Sequence, residues 1–195
     1  MQQSNYTDSQ LEVIEKIAGH YQEIIRLIGE NPSREGLLKT PLRAAKALYY
    51  STNGYRTQAE KVVNGALFEA PGSGMIVVRD IEFYSFCEHH ILPFFGTVSV
   101  GYMPGEKMIG LSKVARIVDM YARRLQVQER LTVEVCRELQ EILDAKGVIV
   151  SCRAQHLCMK MRGVEKQDSS TVTTEMTGVF VSDNALVAQF FNSIS

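Results

Sequence analysis

Read from the N-terminus, the apolar positions first follow a helical period. Ile14, Ile17, Ala18, Tyr21, Ile24, Ile25 and Ile28 recur at i, i+3, i+4 and i+7 as far as Gly29, which puts them on one face of an amphipathic helix. Ser9, with Glu12 three residues on, has the form of a capping box at its start. Thr40 followed by Pro41 predicts the cap and first position of a second helix that stops near Gly54. Thr57-Gln58-Ala59-Glu60 predicts a capping box for a short third one. Pro71-Gly72-Ser73-Gly74 then breaks the pattern.

Beyond the break the period shortens. Residues 75–86 and 97–103 are rich in β-branched and aromatic side chains and read as strands. Ser112 is placed to cap a helix that buries Val114, Ile117, Val118, Tyr121 and Leu125, with Lys113, Arg116, Arg123 and Arg124 on the opposite side. A helix over roughly 129–145 buries Leu131, Val135, Leu139 and Ile142 and ends before Gly147. Two more strands follow, 148–158 and about 171–181, and Asn184 is the expected cap of a last helix. The order is helices, then β-β-α-α-β-β, then a helix. It predicts an α+β fold with a four-stranded sheet covered by helices on one face. The other face and both edges would stand open, a liability that association usually resolves. No internal repeat, low-complexity tract or dividing linker is present. Residues 1–70 read as an N-terminal helical region and 71–195 as the region that carries the chemistry, together one functional unit.

Composition narrows the possibilities. Acidic residues number 22 and basic residues 21, so generic attraction to nucleic acid or an anionic membrane is disfavoured. A hydrophobic share of 45% excludes wholesale disorder. No apolar run approaches the ~18 residues needed to span a bilayer, and the first residues lack the features of a signal peptide, so a cytoplasmic location is expected. Four cysteines are too few for a disulfide framework. Three of the four histidines, His89, His90 and His156, lie within three residues of a cysteine.

That clustering carries the chemistry. Cys87 and His90 have the C-x₂-H spacing that lets two side chains converge on one zinc ion. On a strand ending at Cys158, His156 and Cys158 share a face ~7 Å apart, close enough for the imidazole to reach a water or substrate held by a metal on the thiolate. Cys152 lies ~20 Å back along that strand, too far to join. Cys152 and Cys136 read as small buried hydrophobes. Cys87, His90 and Cys158 would leave a fourth tetrahedral position for water, the layout of a catalytic zinc that supplies hydroxide at neutral pH. Spacing alone does not decide between His89 and His90, and the histidine that does not bind is free for acid–base work. The run Gly105–Lys113 fails the phosphate-loop pattern. It leaves a helix start at Ser112 with Lys113 and Arg116, an anion seat or a solvated basic face. Gln128-Glu129 could meet the N–H edge of a purine or simply begin a helix.

Four motifs in order extend these readings. They are Phe83-Tyr84-Ser85-Phe86-Cys87-Glu88-His89-His90, Ile109-Gly110-Leu111-Ser112-Lys113-Val114-Ala115-Arg116, Gln126-Val127-Gln128-Glu129-Arg130-Leu131-Thr132, and His156-Leu157-Cys158-Met159 with Arg162-Gly163. With Arg34-Glu35-Gly36-Leu37 and Thr40-Pro41 before them, the chain resembles GTP cyclohydrolase I from about residue 30 to 182. Gln189-Phe190-Phe191 departs from the family, which more often has an acidic residue before Phe-Leu. The resemblance implies the tunnelling fold, a homodecamer of two pentamers with active sites at subunit junctions, and conversion of GTP to 7,8-dihydroneopterin triphosphate and formate at the entry to folate or biopterin synthesis. It implies zinc on Cys87, His90 and Cys158, with His156 protonating the purine near N7 and His89 assisting ribose opening. Glu129 with Gln128 would hold the guanine edge. Ser112, Lys113, Arg116 and Arg162 would hold the triphosphate or assist the rearrangement. Two other readings compete: a tunnelling-fold nitrile reductase of deazaguanine metabolism, which leaves the paired His89-His90 unexplained, and a non-catalytic structural-zinc protein, which lacks an evident fourth ligand.

Overall fold

Helix α1 (Asp8–Leu27) starts at Thr7, whose extended backbone lets its hydroxyl accept from Gln10 N–H while the Gln10 side chain accepts from Thr7 N–H. The capping box therefore sits two residues before the one expected at Ser9. Glu12 is instead paired with Lys16 on the exposed face. After a 3₁₀ turn at Glu35–Leu37, helix α2 spans Thr40–Ser51 with Pro41 in its first turn. Thr40 is inside the helix, and its hydroxyl donates back to Gly36 O, so it is not the cap. Ile14, Ala45 and Tyr49 form a small core of their own.

The computed structural model describes residues 6–195, and its contacts divide the chain into two units, one ending at Thr52 and one running from Asn53 to Ser195. The second unit opens with a 3₁₀ turn at Asn53–Arg56, followed by α3 (Ala59–Val63), β1 (Leu67–Glu69), β2 (Ile76–Cys87), β3 (Pro93–Met103) and β4 (Lys107–Ile109). Then come α4 (Leu111–Ala122), β5 (Leu125–Gln126), α5 (Gln128–Leu143), β6 (Gly147–His156), α6 (Leu157–Lys160) and β7 (Thr171–Met176). A 3₁₀ turn at Gly178–Val181 leads into α7 (Asn184–Ile194). Residues 53–70 thus join the larger unit, not the N-terminal helices, because β1 pairs antiparallel with β4.

The main sheet has the order β5-β2-β3-β6-β7, antiparallel except for the two-residue β5 beside β2. Alternation sends Phe83 and Cys87 of β2, Phe94, Val98 and Val100 of β3, and Val148, Val150 and Cys152 of β6 to one buried face. Val114, Ile117 and Val118 of α4 and Leu131, Val135 and Leu139 of α5 pack onto them. Each such buried aliphatic side chain stabilises the fold by about 1.5–3 kcal/mol.

The opposite face is not left bare. Phe180 and Phe190 cover Ile149 near one end of the sheet, and Gly101 lets the Phe190 ring approach so closely that a Cβ there would lie 2.6 Å from it. Both edges are open as expected: among the described residues, no strand pairs with the outer side of β7, or with the outer side of β2 before Phe86. The remaining helix caps shift by a residue or two from the sequence reading. Gly110 precedes α4 and Ser112 lies within it, Thr57 donates to Asn53 O rather than capping α3, and Asp183 rather than Asn184 caps α7 by accepting from Ala185 and Leu186 N–H. The strands expected to reach 158 and 181 stop at His156 and Met176, where the backbone turns helical. Among the described residues, no helix is long and apolar enough to cross a membrane.

Candidate active site

Strand β2 ends at Cys87 and the chain reverses over the next five residues. The turn is tight: Ile91 N–H donates to Cys87 O at 2.8 Å and Cys87 N–H to Leu92 O at 2.9 Å. Closing it puts Ile91, a β-branched residue, at φ +53°, in the left-handed region where such side chains are strained. The turn is also pinned from outside. Glu88 N–H donates to Gln126 O of β5 at 2.9 Å, and the Glu88 carboxylate pairs with Arg130 of α5. Arg130 Nε donates onward to Gln126 Oε1 at 2.9 Å, and the Glu88 pairing raises the guanidinium pKa.

Strand β6 brings the second half. It stops at His156, and Cys158 sits in the helical turn that follows. Cys158 therefore reaches the site through a change of backbone direction, not through strand alternation. Its Sγ joins Cys87 Sγ and a His90 ring nitrogen in a group of ligand atoms all within 4.8 Å of one another. Cys87 Sγ lies 3.9 Å from Nδ1 of His90, and tetrahedral zinc with ordinary bond lengths places sulfur and nitrogen about 3.6 Å apart. The sulfur is equally near His89 Nδ1, but His89 stands outside the three-atom group, with its Nε2 3.9 Å from Glu88 and 64% of its side chain exposed. Burial, and then the neighbouring Cys87, raise the Cys158 pKa. The Cys158 thiol so placed resists ionisation, and a divalent cation of zinc type would supply the missing positive charge.

His156 is half-buried. Its ring stacks on Phe94 at 4.7 Å and 2°, and its Nε2 lies 2.9 Å from Gln128 Oε1. Burial lowers its pKa, with the Glu129 carboxylate opposing that shift. Cys87, His89, His90, Glu129, His156 and Cys158 line one cavity of about 210 Å³, smaller than the ~300–1,000 Å³ of usual ligand pockets. It accommodates part of a nucleotide.

The basic residues lie elsewhere. Ser112, Lys113, Arg116 and Arg162 do not line this cavity. Ser112 and Arg116 are exposed on the first two turns of α4, and Lys113 Nζ donates to Val62 O at 3.0 Å. Because the end of α4 leads into β5, which pairs with Phe86 and Cys87, Ser112, Lys113 and Arg116 stand about 15, 14 and 9 Å back along the axis of this helix. Arg162 is exposed, and its charge partly opposes the rise in the Cys158 pKa. Arg124, expected on a solvated face, lies over the Tyr121 ring at 4.6 Å. Gln128 is buried, with its amide bonded inside the protein. Sequence reasoning missed Phe94 and the Glu88–Arg130–Gln126 network. Both depend on strand pairing between distant segments, for which local spacing holds no signal. Cys136 and Cys152 are buried in the core, and burial pushes both thiols up to about 12.

The β-β-α-α-β-β unit, with a Cys-His-Cys cluster where its central strands end, defines an enzyme of the tunnelling fold. Comparison with known proteins makes this specific: residues 17–195 match the family model described as GTP cyclohydrolase I, and the chain belongs to that family. It is 56% identical over 178 residues to GTP cyclohydrolase 1 2 of Pseudomonas putida, covering 91% of this chain and 96% of the relative. It is 53% identical over 173 residues to GTP cyclohydrolase 1 of Leptospira biflexa, covering 89% and 94%. Among solved structures, the likeness to archaeosine synthase QueF-Like in the apo form is slight, with TM-score 0.45 and 16% identity over 55% of this chain and 96% of that one. The protein converts GTP to dihydroneopterin triphosphate, a reaction of folate and pterin biosynthesis. The nitrile reductase and non-catalytic readings fall away.

Proposed function

We propose that the chain holds one zinc ion per subunit on Cys87, His90 and Cys158, and releases formate from GTP in active sites shared between copies of a cytoplasmic homodecamer built from two pentamers. A metal there would lower the pKa of a water toward neutrality. His156 moves a proton at the purine near N7, and His89, exposed beside the cluster, assists opening of the ribose. Glu129 takes the guanine edge. Ser112, Lys113, Arg116 and Arg162 hold the triphosphate through charge-assisted hydrogen bonds. Gln128 is left out of base recognition because its amide is committed elsewhere.

The observation that carries the shared site is the separation of its two halves. The cavity is small and lies by the C-terminal end of α4, while Ser112, Lys113 and Arg116 lie about 9–15 Å back along the helix and outside the cavity lining. A second copy docked on an open sheet edge can bring its own α4 to the first copy's cavity. The test is co-expression of His156→Ala with Arg116→Ala, assayed at GTP well below KM, where weak binding cripples Arg116→Ala and lost proton transfer cripples His156→Ala. Random mixing of half-sites should restore activity at about a quarter of the sites, and light scattering should show ten chains. Mixed oligomers no more active than either parent would sink the shared site.

A further inference from the structure

We infer that Gln128 is a positioning residue that holds His156 with its Nε2 protonated, leaving Nδ1 as the nitrogen that exchanges a proton with whatever fills the cavity. This rests on the proton-transfer role proposed above for His156.

The orientation of the Gln128 amide is decided by its neighbours. Its nitrogen lies 3.0 Å from Cys152 O, 3.0 Å from Thr171 O and 3.2 Å from Thr173 Oγ1. Two of these are backbone carbonyls, which can only accept, so the amide edge facing them must be the NH₂. The side chain is 1% exposed, and turning it over would set a buried carbonyl oxygen against two others, leaving all three unsatisfied. The remaining edge, Oε1, can only accept, and it faces His156 Nε2 at 2.9 Å. Nε2 must therefore carry a proton. Among the described residues no hydrogen bond involves His156 Nδ1, and the residue lines the cavity.

The support continues behind the amide. Thr173 Oγ1 lies 2.6 Å from Thr132 Oγ1, and Thr132 Oγ1 donates to Gln128 O at 2.8 Å. The first residue of α5 is thereby stitched to β6 and β7. The Phe94 ring fixes the plane of the imidazole, while Gln128 fixes its rotation within that plane. A histidine so held keeps one tautomer, which neither the stacking nor the nearby Glu129 would impose.

The test uses the zinc-loaded protein labelled with ¹⁵N-histidine, examined by solid-state NMR at pH 8.5. His156 is identified by difference from His156→Asn. The expected wild-type signature is a protonated Nε2 and an unprotonated Nδ1. Gln128→Met should give a mixture of tautomers and lower kcat about tenfold or more, part of what a positioned acid–base group contributes. KM for GTP should stay within about threefold. A wild-type spectrum with Nδ1 protonated would overturn the inference, and it needs no variant to fold. So would Gln128→Met with kcat unchanged and KM raised, which would return Gln128 to base recognition. His156→Ala at wild-type rate would remove the proton-transfer role, while the wild-type tautomer would still judge the clamp.

Discussion

The two ends of α4 make an instructive pair. At its C-terminal end the chain completes a chemical cluster on its own. Strand β2, its reverse turn and the helical turn after β6 bring Cys87, His90 and Cys158 together, and Glu88, Gln126 and Arg130 brace the turn from behind. At its N-terminal end, Ser112 and Arg116 face outward, and Lys113 is held by a backbone carbonyl from the end of α3. The first end is organised by hydrogen bonds within the chain, the second by none that reach a ligand. A cluster of thiols needs a fixed geometry before the ion arrives, because binding energy would otherwise be lost to ordering the loops. An anion seat can wait for its ligand, since charge acts over longer distances than coordination.

Substitutions should separate the two ends by the size and kind of their effects. Cys87→Ala, His90→Ala and Cys158→Ser are expected to lose zinc by elemental analysis and activity by ~10³-fold or more, because a metal contributes several kcal/mol to such chemistry. Full zinc in Cys158→Ser would break the account of the cluster end. Arg116→Ala at the other end, and Arg162→Ala beside Cys158, should keep zinc and weaken GTP binding by ~10- to 100-fold, matching about 1.5–3 kcal/mol per charged hydrogen bond. Calorimetry with guanosine should show little change. Equal losses for guanosine and GTP would mean that these residues serve the base or the fold. The smallest effect belongs to the brace: Arg130→Met should leave the oligomer intact and weaken zinc affinity by ~10-fold in a chelator competition, as outer supports of metal ligands do. Unchanged affinity would show that the turn needs no brace.

The sequence made some of this plain and hid the rest for identifiable reasons. Strand and helix order was readable because β-branched runs and 3.6-residue periods survive in local composition, and the order β-β-α-α-β-β between flanking helices was enough to name the fold class. The cluster was readable because Cys87 and His90 are three residues apart and His156 and Cys158 two. Helix starts were not, since Ser9, Thr40, Thr57, Ser112 and Asn184 are all good caps by type, and only backbone geometry selects Thr7, Lys39, Gln58, Gly110 and Asp183. Phe94 against His156 follows from the β3–β6 register, in which the two are direct partners. The partners of Gln128 were hidden because proximity to Glu129 suggested a shared task, whereas the first helical turn buries Gln128 and leaves Glu129 exposed.

Ile91 has a consequence of a different sort. At φ +53° it holds a conformation that costs about 1–2 kcal/mol, against a net stability for a whole domain of about 5–15 kcal/mol. The reverse turn after Cys87 is thus under standing tension, kept in shape by the strands and the brace around it and not by its own preferences. A short peptide of the same residues, cut free of the sheet, would relax to another form and lose the spacing between its sulfur and its imidazole. The cluster of two sulfurs and an imidazole is a property of the folded chain, imposed on a segment that would not choose it.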